Sequence, residues 1–182
     1  MTTRVLTSTD LPIYRRLRLE ALRTDPDAFA STYEREIHFD DAAWLSRMSG
    51  FDGRTGVVIL DEYDGSAKGT VGIGFGEGEH DTHLWGMWVA PQFRRCGAGQ
   101  RLVESAIEWA RANRAATVTL WVVRTNTAAI ALYQRSGFEP TGDVDTLPTN
   151  PCVEELAMKL LVRSSNDHES SRNAPGAGRT PD

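Results

Sequence analysis

Apolar residues in the N-terminal part of the chain follow strand and helix periods in turn. Residues 4–7 predict a short strand, and residues 11–22 carry apolar side chains at the helical period until Pro26 ends the helix. A second helix is predicted over 40–50, and the segment 25–39 is predicted to be a loop. The chain is therefore expected to begin with a strand followed by two helices.

Strand patterns dominate the next part of the chain. Residues 56–61 and 68–76 are rich in β-branched and apolar residues and are joined across Asp64-Gly65, a pair that tolerates positive φ. They predict a hairpin. Residues 83–89 predict a further strand.

A glycine-containing loop follows the strand that ends at Val89 and precedes an amphipathic helix from about Gln100 to Arg114. Gly97 and Gly99 in this loop lack Cβ atoms, so successive backbone N–H groups can approach one anion. The N-terminus of the helix adds partial positive charge. The loop is a candidate pyrophosphate cradle, and tight turn geometry is the alternative reason for its glycines.

The C-terminal part predicts one more helix and three more strands. Residues 117–123 favour a strand through their β-branched content, and 126–133 favour a short helix that stops before a glycine. Two closing strands are predicted over 138–144 and 153–161. The loop between them contains two prolines, which we expect to prevent a tight hairpin.

The composition suits one folded domain with a tail. The chain has 182 residues, and 40% of them are hydrophobic. Ser, Asn, Gly and Pro dominate the tail, which has too little apolar surface to offset its ordering entropy. We expect a single domain over 1–162 and a disordered tail over 163–182.

The net charge and the cysteine content limit the kinds of partner that we expect. The formal net charge is −5 and no stretch concentrates uncompensated Lys and Arg, which argues against nucleic acid and membrane surfaces. Cys96 and Cys152 match neither a metal-ligand cluster nor a disulfide framework, so we expect no metal and a reduced, cytoplasmic setting. No apolar run approaches the roughly 18 residues of a spanning helix, and no targeting segment is expected.

Two motifs together carry a family resemblance. The first is the Arg-x-x-Gly-x-Gly signature over 94–99, and the second is Asn126, then Tyr133, then Gly137-Phe138. With a strand between them, the chain resembles the GCN5-related N-acetyltransferases (GNAT) over most of its length. The resemblance implies an α/β (α+β) fold, a single GNAT-like domain with a mixed, mostly antiparallel central sheet of about seven strands flanked by about four helices.

The resemblance implies that acetyl-coenzyme A lies in a V-shaped opening between the strand ending at Val89 and the strand beginning near Thr117. Backbone groups at the edge of the strand that ends at Val89 would hydrogen-bond to the pantetheine amides. The backbone amides of the glycine loop would bind the pyrophosphate. Cys96 stands where the family often has a basic residue and Arg95 where it often has glycine, which predicts fewer phosphate contacts. The implied cofactor-binding residues are Met87, Trp88, Val89, Arg94, Arg95, Cys96, Gly97, Ala98, Gly99, Asn126 and Tyr133.

Tyr133 is the implied general acid. A phenol with an ordinary pKa near 10 can give a proton to a departing thiolate of comparable basicity. The alternative role for Tyr133 is a core aromatic, and the alternative role for Asn126 is a helix N-cap only.

His83 is the candidate general base for the acceptor amine. Strict alternation along the strand would place it on one face with Trp85, Met87 and Val89, looking toward the cleft. A structural histidine is the alternative. Nearby candidates for the same role, each of which a solvated turn explains better, are Glu79, His80 and Asp81.

The acceptor site is less well marked. Glu36 and His38 lie in a segment that the family uses to shape the acceptor pocket, but an exposed loop explains them as well. Four tryptophans are expected to fill the core rather than to line that pocket: Trp44, Trp85, Trp88 and Trp121.

The sequence therefore predicts an acetyl-coenzyme A-dependent N-acetyltransferase that transfers acetyl directly to a primary amine of a small molecule or protein. The competing hypothesis is a non-catalytic acyl-coenzyme A sensor, against which the presence of Tyr133 argues. A monomer or a homodimer is expected.

Overall fold

A computed structural model of the chain describes residues 2–49, 55–76, 78 and 80–162. Within these ranges the strands are β1 (Thr2–Val5), β2 (Gly56–Tyr63), β3 (Ser66–Phe75), β4 (Asp81–Val89), β5 (Thr117–Val123), β6 (Glu139–Leu147) and β7 (Asn150–Leu161). The helices are α1 (Leu11–Thr24), the single-turn α2 (Tyr33–Glu36), α3 (Asp41–Ser49), α4 (Ala98–Ala112) and α5 (Thr127–Arg135). The predicted end of the second helix at residue 50 and the predicted tail over 163–182 lie outside the described residues.

The seven strands form one mixed sheet in the order β1-β2-β3-β4-β5-β7-β6. Every neighbouring pair is antiparallel except β4 and β5, which are parallel. The expected fold, a single domain with a mostly antiparallel seven-stranded sheet and about four full helices, is confirmed. Parallel neighbours need a crossover, and α4 provides it.

Two apolar layers cover the two faces of the sheet. On one face, Leu102 and Ala106 of α4 pack with Val71 and Ile73 of β3. On the other face, Leu17 of α1 and the fully buried Trp44 of α3 belong to a second core with residues of β2. The helical periodicity read from the sequence is thus explained by burial of one face of each helix.

The expectation of a loose connection between the last two strands is wrong. Leu147 of β6 pairs with Asn150 of β7, so only Pro148 and Thr149 separate the strands. Proline has the φ that the second position of a turn requires, and Pro151 lies beyond the part of β7 that pairs with β5. The tip of this hairpin is anchored because the Thr149 hydroxyl donates to the Phe29 carbonyl at 3.0 Å.

The segment predicted to be a loop between the first two helices is also partly ordered. It contains a 3₁₀ turn over Pro26–Ala28 and the single-turn α2, whose N-cap Thr32 accepts a hydrogen bond from the Arg35 amide. Ser31 and Glu36 are buried in this segment. It packs against the sheet as part of the α1 and α3 layer.

No helix in the described ranges is both long and apolar enough to cross a bilayer. Among the same residues, His, Cys, Asp and Glu form no group of three or more arranged to hold a metal ion.

Candidate active site

The parallel strands β4 and β5 open like a V. Their pairing runs only through three positions, Asp81 with Thr117, Thr82 with Val118 and His83 with Thr119. Beyond His83 the strands separate, and the gap is a cleft of about 780 Å³ that we call the first cleft. Its walls are the rest of β4, the glycine loop, β5 and α5. The branch point of the V is therefore set by where the β4–β5 ladder stops.

The glycine loop closes one end of the first cleft. Gly97, the N-cap of α4, has φ +78°, and Arg95 has φ +62°. Arg95 thus adopts the left-handed conformation that favours glycine. Gly99 has a packing role as well, because a Cβ there would lie 3.1 Å from Leu132 Cδ2 and 3.3 Å from Met87 Cε. Its absence lets α4 approach both β4 and α5.

Two arginines brace the loop. Arg94 donates to the Val89 carbonyl at 3.0 Å and to the Asp25 carboxylate at 2.5 Å, and Asp25 also accepts from the Trp88 indole. Arg101 of α4 forms two bonds to Asp61, at 2.8 and 2.9 Å, and a third to the Cys96 carbonyl. The charge of Arg94 is therefore largely compensated by Asp25, so within the loop itself the amides and Arg95 can bind an anion.

The residues predicted to bind the cofactor divide into those that line the first cleft and those that do not. The predicted residues that line it are Met87, Trp88, Val89, Arg94, Arg95, Gly97, Gly99, Asn126 and Tyr133. Cys96 and Ala98 do not line it, because the Cys96 side chain is exposed and the Ala98 side chain is buried under the loop. Only the backbone of these two residues can take part in a cradle.

Asn126 and Tyr133 lie at the two ends of α5. The Asn126 side chain caps the helix by accepting from the Ala129 amide at 3.1 Å, and it also borders the first cleft. Tyr133 is 5% exposed and packs edge-on against Phe138 at 5.8 Å. Burial raises the pKa of Tyr133 above its ordinary value of 10, so the phenol stays protonated at neutral pH and is a weaker acid than the ordinary value predicted. Both residues thus have a structural role and face the cleft.

A second cleft of about 610 Å³ joins the first at the branch point. It lies between β4, β5, the β6–β7 hairpin and the helical layer of α1, α2 and α3. The residues that line both clefts are Ala28, Phe29, Leu84, Trp85, Gly86 and Trp121. The two clefts are therefore neighbours, and these six residues form their common wall.

His83 lines the second cleft near the branch point. Its Nδ1 lies 3.2 Å from the Thr119 hydroxyl, and that hydroxyl donates its single proton to the Thr82 carbonyl at 3.1 Å. The hydroxyl must then accept from His83, which places the imidazole proton on Nδ1 and leaves Nε2 with its lone pair. Burial lowers the pKa of His83, so the neutral form prevails at pH 7.

The alternation expected along β4 is wrong beyond Trp85. The register against β3 shifts between Thr70 and Gly72, and Gly86 has φ +58°, which marks a bulge. Met87 packs on the α4 side of the sheet, whereas Trp88 belongs to the core on the opposite side. His83 therefore faces the second cleft rather than the first, and it does not share a face with Met87 and Val89.

The alternative base candidates do not meet at the branch point. His80 and Asp81 line neither cleft, and Asp81 accepts a short hydrogen bond from the Thr117 hydroxyl. Glu79 lies outside the described residues. Glu36 is completely buried behind the second cleft, so the exposed-loop explanation for it is wrong. His38 is exposed and lines neither cleft.

The tryptophans have divided roles. Trp44 and Trp88 fill the core, as expected. Trp85 lies against β3, where Gly72 makes room for its indole because a Cβ there would overlap the ring. Trp121 is 41% exposed and lines both clefts, so the expectation that it fills the core is wrong.

Sequence reasoning missed the charged lining of the second cleft. The charged residues of that lining are Arg18, Arg35, Arg47, Asp145 and Glu155. They come from five different elements and share no local motif. One signal was present in the sequence, since Arg18 occupies the apolar face of α1 next to Leu17 and Ala21.

Known proteins resemble this chain in sequence and fold. Residues 16–138 match a family model described as the acetyltransferase (GNAT) family. An uncharacterized N-acetyltransferase of Archaeoglobus fulgidus is 32% identical over 129 residues, which cover 68% of this chain and 83% of that protein. The uncharacterized N-acetyltransferase YobR of Bacillus subtilis is 33% identical over 90 residues, which cover 50% of this chain and 35% of YobR. This chain thus matches only about a third of YobR's length.

A solved structure shows the same fold over nearly the whole chain. YncA of Salmonella typhimurium, whose structure contains its cofactor acetyl-coenzyme A, aligns with a TM-score of 0.72 and 19% identity. The alignment covers 98% of this chain and 99% of that chain.

Proposed function

The chain belongs to the GNAT acetyltransferase family, and we propose that it transfers the acetyl group of acetyl-coenzyme A directly to a primary amine of a small molecule or a protein. Both substrates would be bound together, and no acetylated enzyme would form. Acetyl-coenzyme A supplies the activated acetyl group as a thioester. The protein supplies alignment and proton transfer.

The first cleft fits acetyl-coenzyme A. Its lining runs from the glycine loop along the β4 edge to Tyr133, and its volume of about 780 Å³ lies within the usual range for cofactor sites. The edge of β4 beyond His83 has no β5 partner and offers backbone groups to an extended chain. The loop offers amides at the N-terminus of α4 to a pyrophosphate.

The observation that carries the proposal is the meeting of two clefts at the end of the β4–β5 ladder. A protonated phenol, Tyr133, lines the first cleft, and a neutral imidazole, His83, lines the second. An amine acceptor must lose a proton, and a thiolate leaving group must gain one. An acid and a base on opposite sides of one junction suit this pair of transfers.

His83 would act as the base, directly or through a bound water. Its Nε2 carries the lone pair, since Nδ1 donates to Thr119. The bond to Thr119 also fixes the ring, because both residues stand at the last paired position of β4 and β5. Tyr133 would protonate the sulfur as it departs.

The test of the proposed function is release of free thiol from acetyl-coenzyme A in the presence of a panel of primary amines. Release above the rate of buffer hydrolysis, with an acetylated product detected by mass spectrometry, is the expected result. Tight binding of acetyl-coenzyme A without turnover of any amine would favour the sensor hypothesis instead.

Replacing Gly97 with Val is expected to weaken acetyl-coenzyme A binding by at least about tenfold, measured by calorimetry. The left-handed backbone at φ +78° disfavours a β-branched residue, and the new Cβ would lie 3.1 Å from Arg101 Nη1. Arg101 is fixed by Asp61, so the loop must move instead.

Gly65→Val is the matched control for this loop variant. Gly65 has φ +71°, no atom lies within 4 Å of the Cβ position, and it lines neither cleft. It should lower the melting temperature and leave affinity intact. An unchanged affinity in folded Gly97→Val protein would remove the loop from the binding site.

Replacing His83 with Ala is expected to lower kcat/KM and to remove the acidic limb of its pH profile. Burial lowers the pKa of His83, so this limb should lie below the ordinary histidine value of 6.5. Rates are compared at equal concentrations of unprotonated amine, and exposed His38→Ala serves as the control. A limb that persists in His83→Ala would assign the base role to another group.

A further inference from the structure

The second cleft has a basic wall built around a buried carboxylate. Arg18 of α1 donates to Glu36 through Nε at 3.0 Å and through Nη2 at 2.8 Å, and Arg47 of α3 lies 3.1 Å from the same carboxylate. Glu36 is fully buried, and the side chains of Arg18 and Arg47 are 7% and 19% exposed. Three helices thus meet at one ion cluster.

This cluster carries more positive than negative charge. Two guanidinium groups share the single carboxylate of Glu36, and Arg35 on α2 adds a third cation to the cleft lining. Burial and the nearby charge of Arg18 both lower the pKa of Arg47, as expected where cations crowd together away from water. An anion seated against this wall would offset the excess.

The opposite wall is acidic. Asp145 of β6 and Glu155 of β7 are direct cross-strand partners, and both line the second cleft. Burial, and then the charge of Asp145, raise the pKa of Glu155. Like charges at paired positions are unfavourable unless a cation lies between or beside them. A substrate ammonium would fill that role.

Both walls line the second cleft together with His83 and Trp121, and Glu155 pairs with Val123 of β5, beyond the branch point at Thr119. A substrate with only an ammonium group would neutralise charge on the acidic wall, but it would leave the excess positive charge of the arginines uncompensated. A substrate with a carboxylate at its other end would satisfy both. Arginine suits this task, since its planar guanidinium pairs with carboxylates and is only weakly hydrated.

We infer that the acceptor is a small amino carboxylate, whose carboxylate binds on the Arg35 and Arg47 side of the second cleft and whose ammonium binds on the Asp145 and Glu155 side. This inference rests on the proposed function and names its substrate class. The carboxylate sets the orientation, and the amine then points toward the branch point and the first cleft. Amines of the same size without a carboxylate lack the contact with the arginines.

The test compares matched pairs of acceptors in the thiol-release assay. β-Alanine, γ-aminobutyrate and lysine are each compared with their carboxamides at equal concentrations of the ammonium form. The carboxylate of the best pair should show a kcat/KM at least about tenfold higher, the scale of one charge-assisted hydrogen bond. A carboxamide that matches or exceeds its carboxylate in every pair would overturn the inference.

Variants that each remove one charge test the two walls of the second cleft separately. Arg35→Gln, at an exposed position, should raise KM for the carboxylate and leave the carboxamide unaffected. Glu155→Gln should raise KM for both. Arg47→Gln should act like Arg35→Gln, provided that its melting curve shows folded protein. Arg16→Gln, with a 60% exposed side chain outside both clefts, is the control that removes the same charge.

A binding measurement makes the inference independent of turnover. Calorimetry with coenzyme A present should detect the amino carboxylate, with an affinity that Arg35→Gln weakens and Arg16→Gln does not. If no amine of either kind releases thiol, the proposed function fails, and this affinity still decides the charge requirement. Binding and turnover confined to peptides with an acidic residue near their N-terminus would replace the small substrate by a protein and overturn the inference.

Discussion

Replacing Tyr133 with Phe is expected to lower kcat by about 10²-fold or more, the usual scale of a positioned proton transfer, with little change in acetyl-coenzyme A affinity. The substitution removes only the phenol oxygen and keeps the ring that packs on Phe138. Burial raises the pKa of Tyr133 above 10, so the wild-type residue holds its proton throughout the neutral range. Loss of the phenol oxygen should therefore lower turnover without weakening the binding of acetyl-coenzyme A.

The measurement combines steady-state turnover with calorimetry of acetyl-coenzyme A. A solvent isotope effect or a pre-steady-state burst establishes whether chemistry limits kcat. Tyr63→Phe, which removes a phenol oxygen from an exposed tyrosine in the β2–β3 hairpin, should keep full activity. Equal turnover of Tyr133→Phe and wild type, with chemistry limiting, would assign Tyr133 to packing alone.

Replacing Glu36 with Gln is expected to destabilise the fold by about 3–5 kcal/mol, the cost of leaving buried cations without their counter-ion. Glu36 is the shared partner of Arg18 and Arg47, and the three helices that carry these residues meet there. Exposed Glu34→Gln on the same short helix is the matched control and should change stability little. Urea unfolding of the three proteins measures the difference.

The same ion cluster predicts a pH dependence. Burial alone would raise the pKa of Glu36, but hydrogen bonds from Arg18 and the charges of both arginines outweigh it, and the pKa lies below its ordinary value of 4.5. The stabilisation is therefore complete above about pH 4.5 and is lost as the pH falls through the lower value in the folded protein. Glu36→Gln should remove this part of the acid transition, and an unchanged stability of Glu36→Gln near pH 7 would contradict the assignment.

Local patterns in the sequence predicted most of the elements correctly. The hairpin across Asp64-Gly65 and the amphipathic α4 follow from turn chemistry and from helical periodicity, which act between close neighbours in the chain. The glycine loop was found in the same way, because its motif is continuous. Burial of Tyr133 and the N-cap role of Asn126 also agree with residue types that the sequence displays.

The errors arose where long-range packing overrides a local rule. Two prolines predicted a loose loop, but Pro148 occupies a tight turn whose tip is held by the Phe29 carbonyl, far away in sequence. A bulge at Gly86 reverses the alternation of β4, and its register is set by pairing with β3. Gly86 is itself a local sign of a bulge, but the register shift and the contact with Phe29 depend on residues far away in the sequence.

By itself the sequence determined the order of elements and the glycine loop, because each depends on short-range periodicity or on a continuous motif. The family resemblance implied the catalytic role proposed for Tyr133, and the strand position of His83 made it the candidate base. Only the tertiary structure decided how the sites combine. The end of the β4–β5 ladder makes the branch point, and the docking of α1, α2 and α3 opposite the β6–β7 hairpin makes the charged second cleft. The charged residues of the second cleft lie far apart in the chain. No local pattern could show that they meet, because burial and charge pairing depend on distance in space.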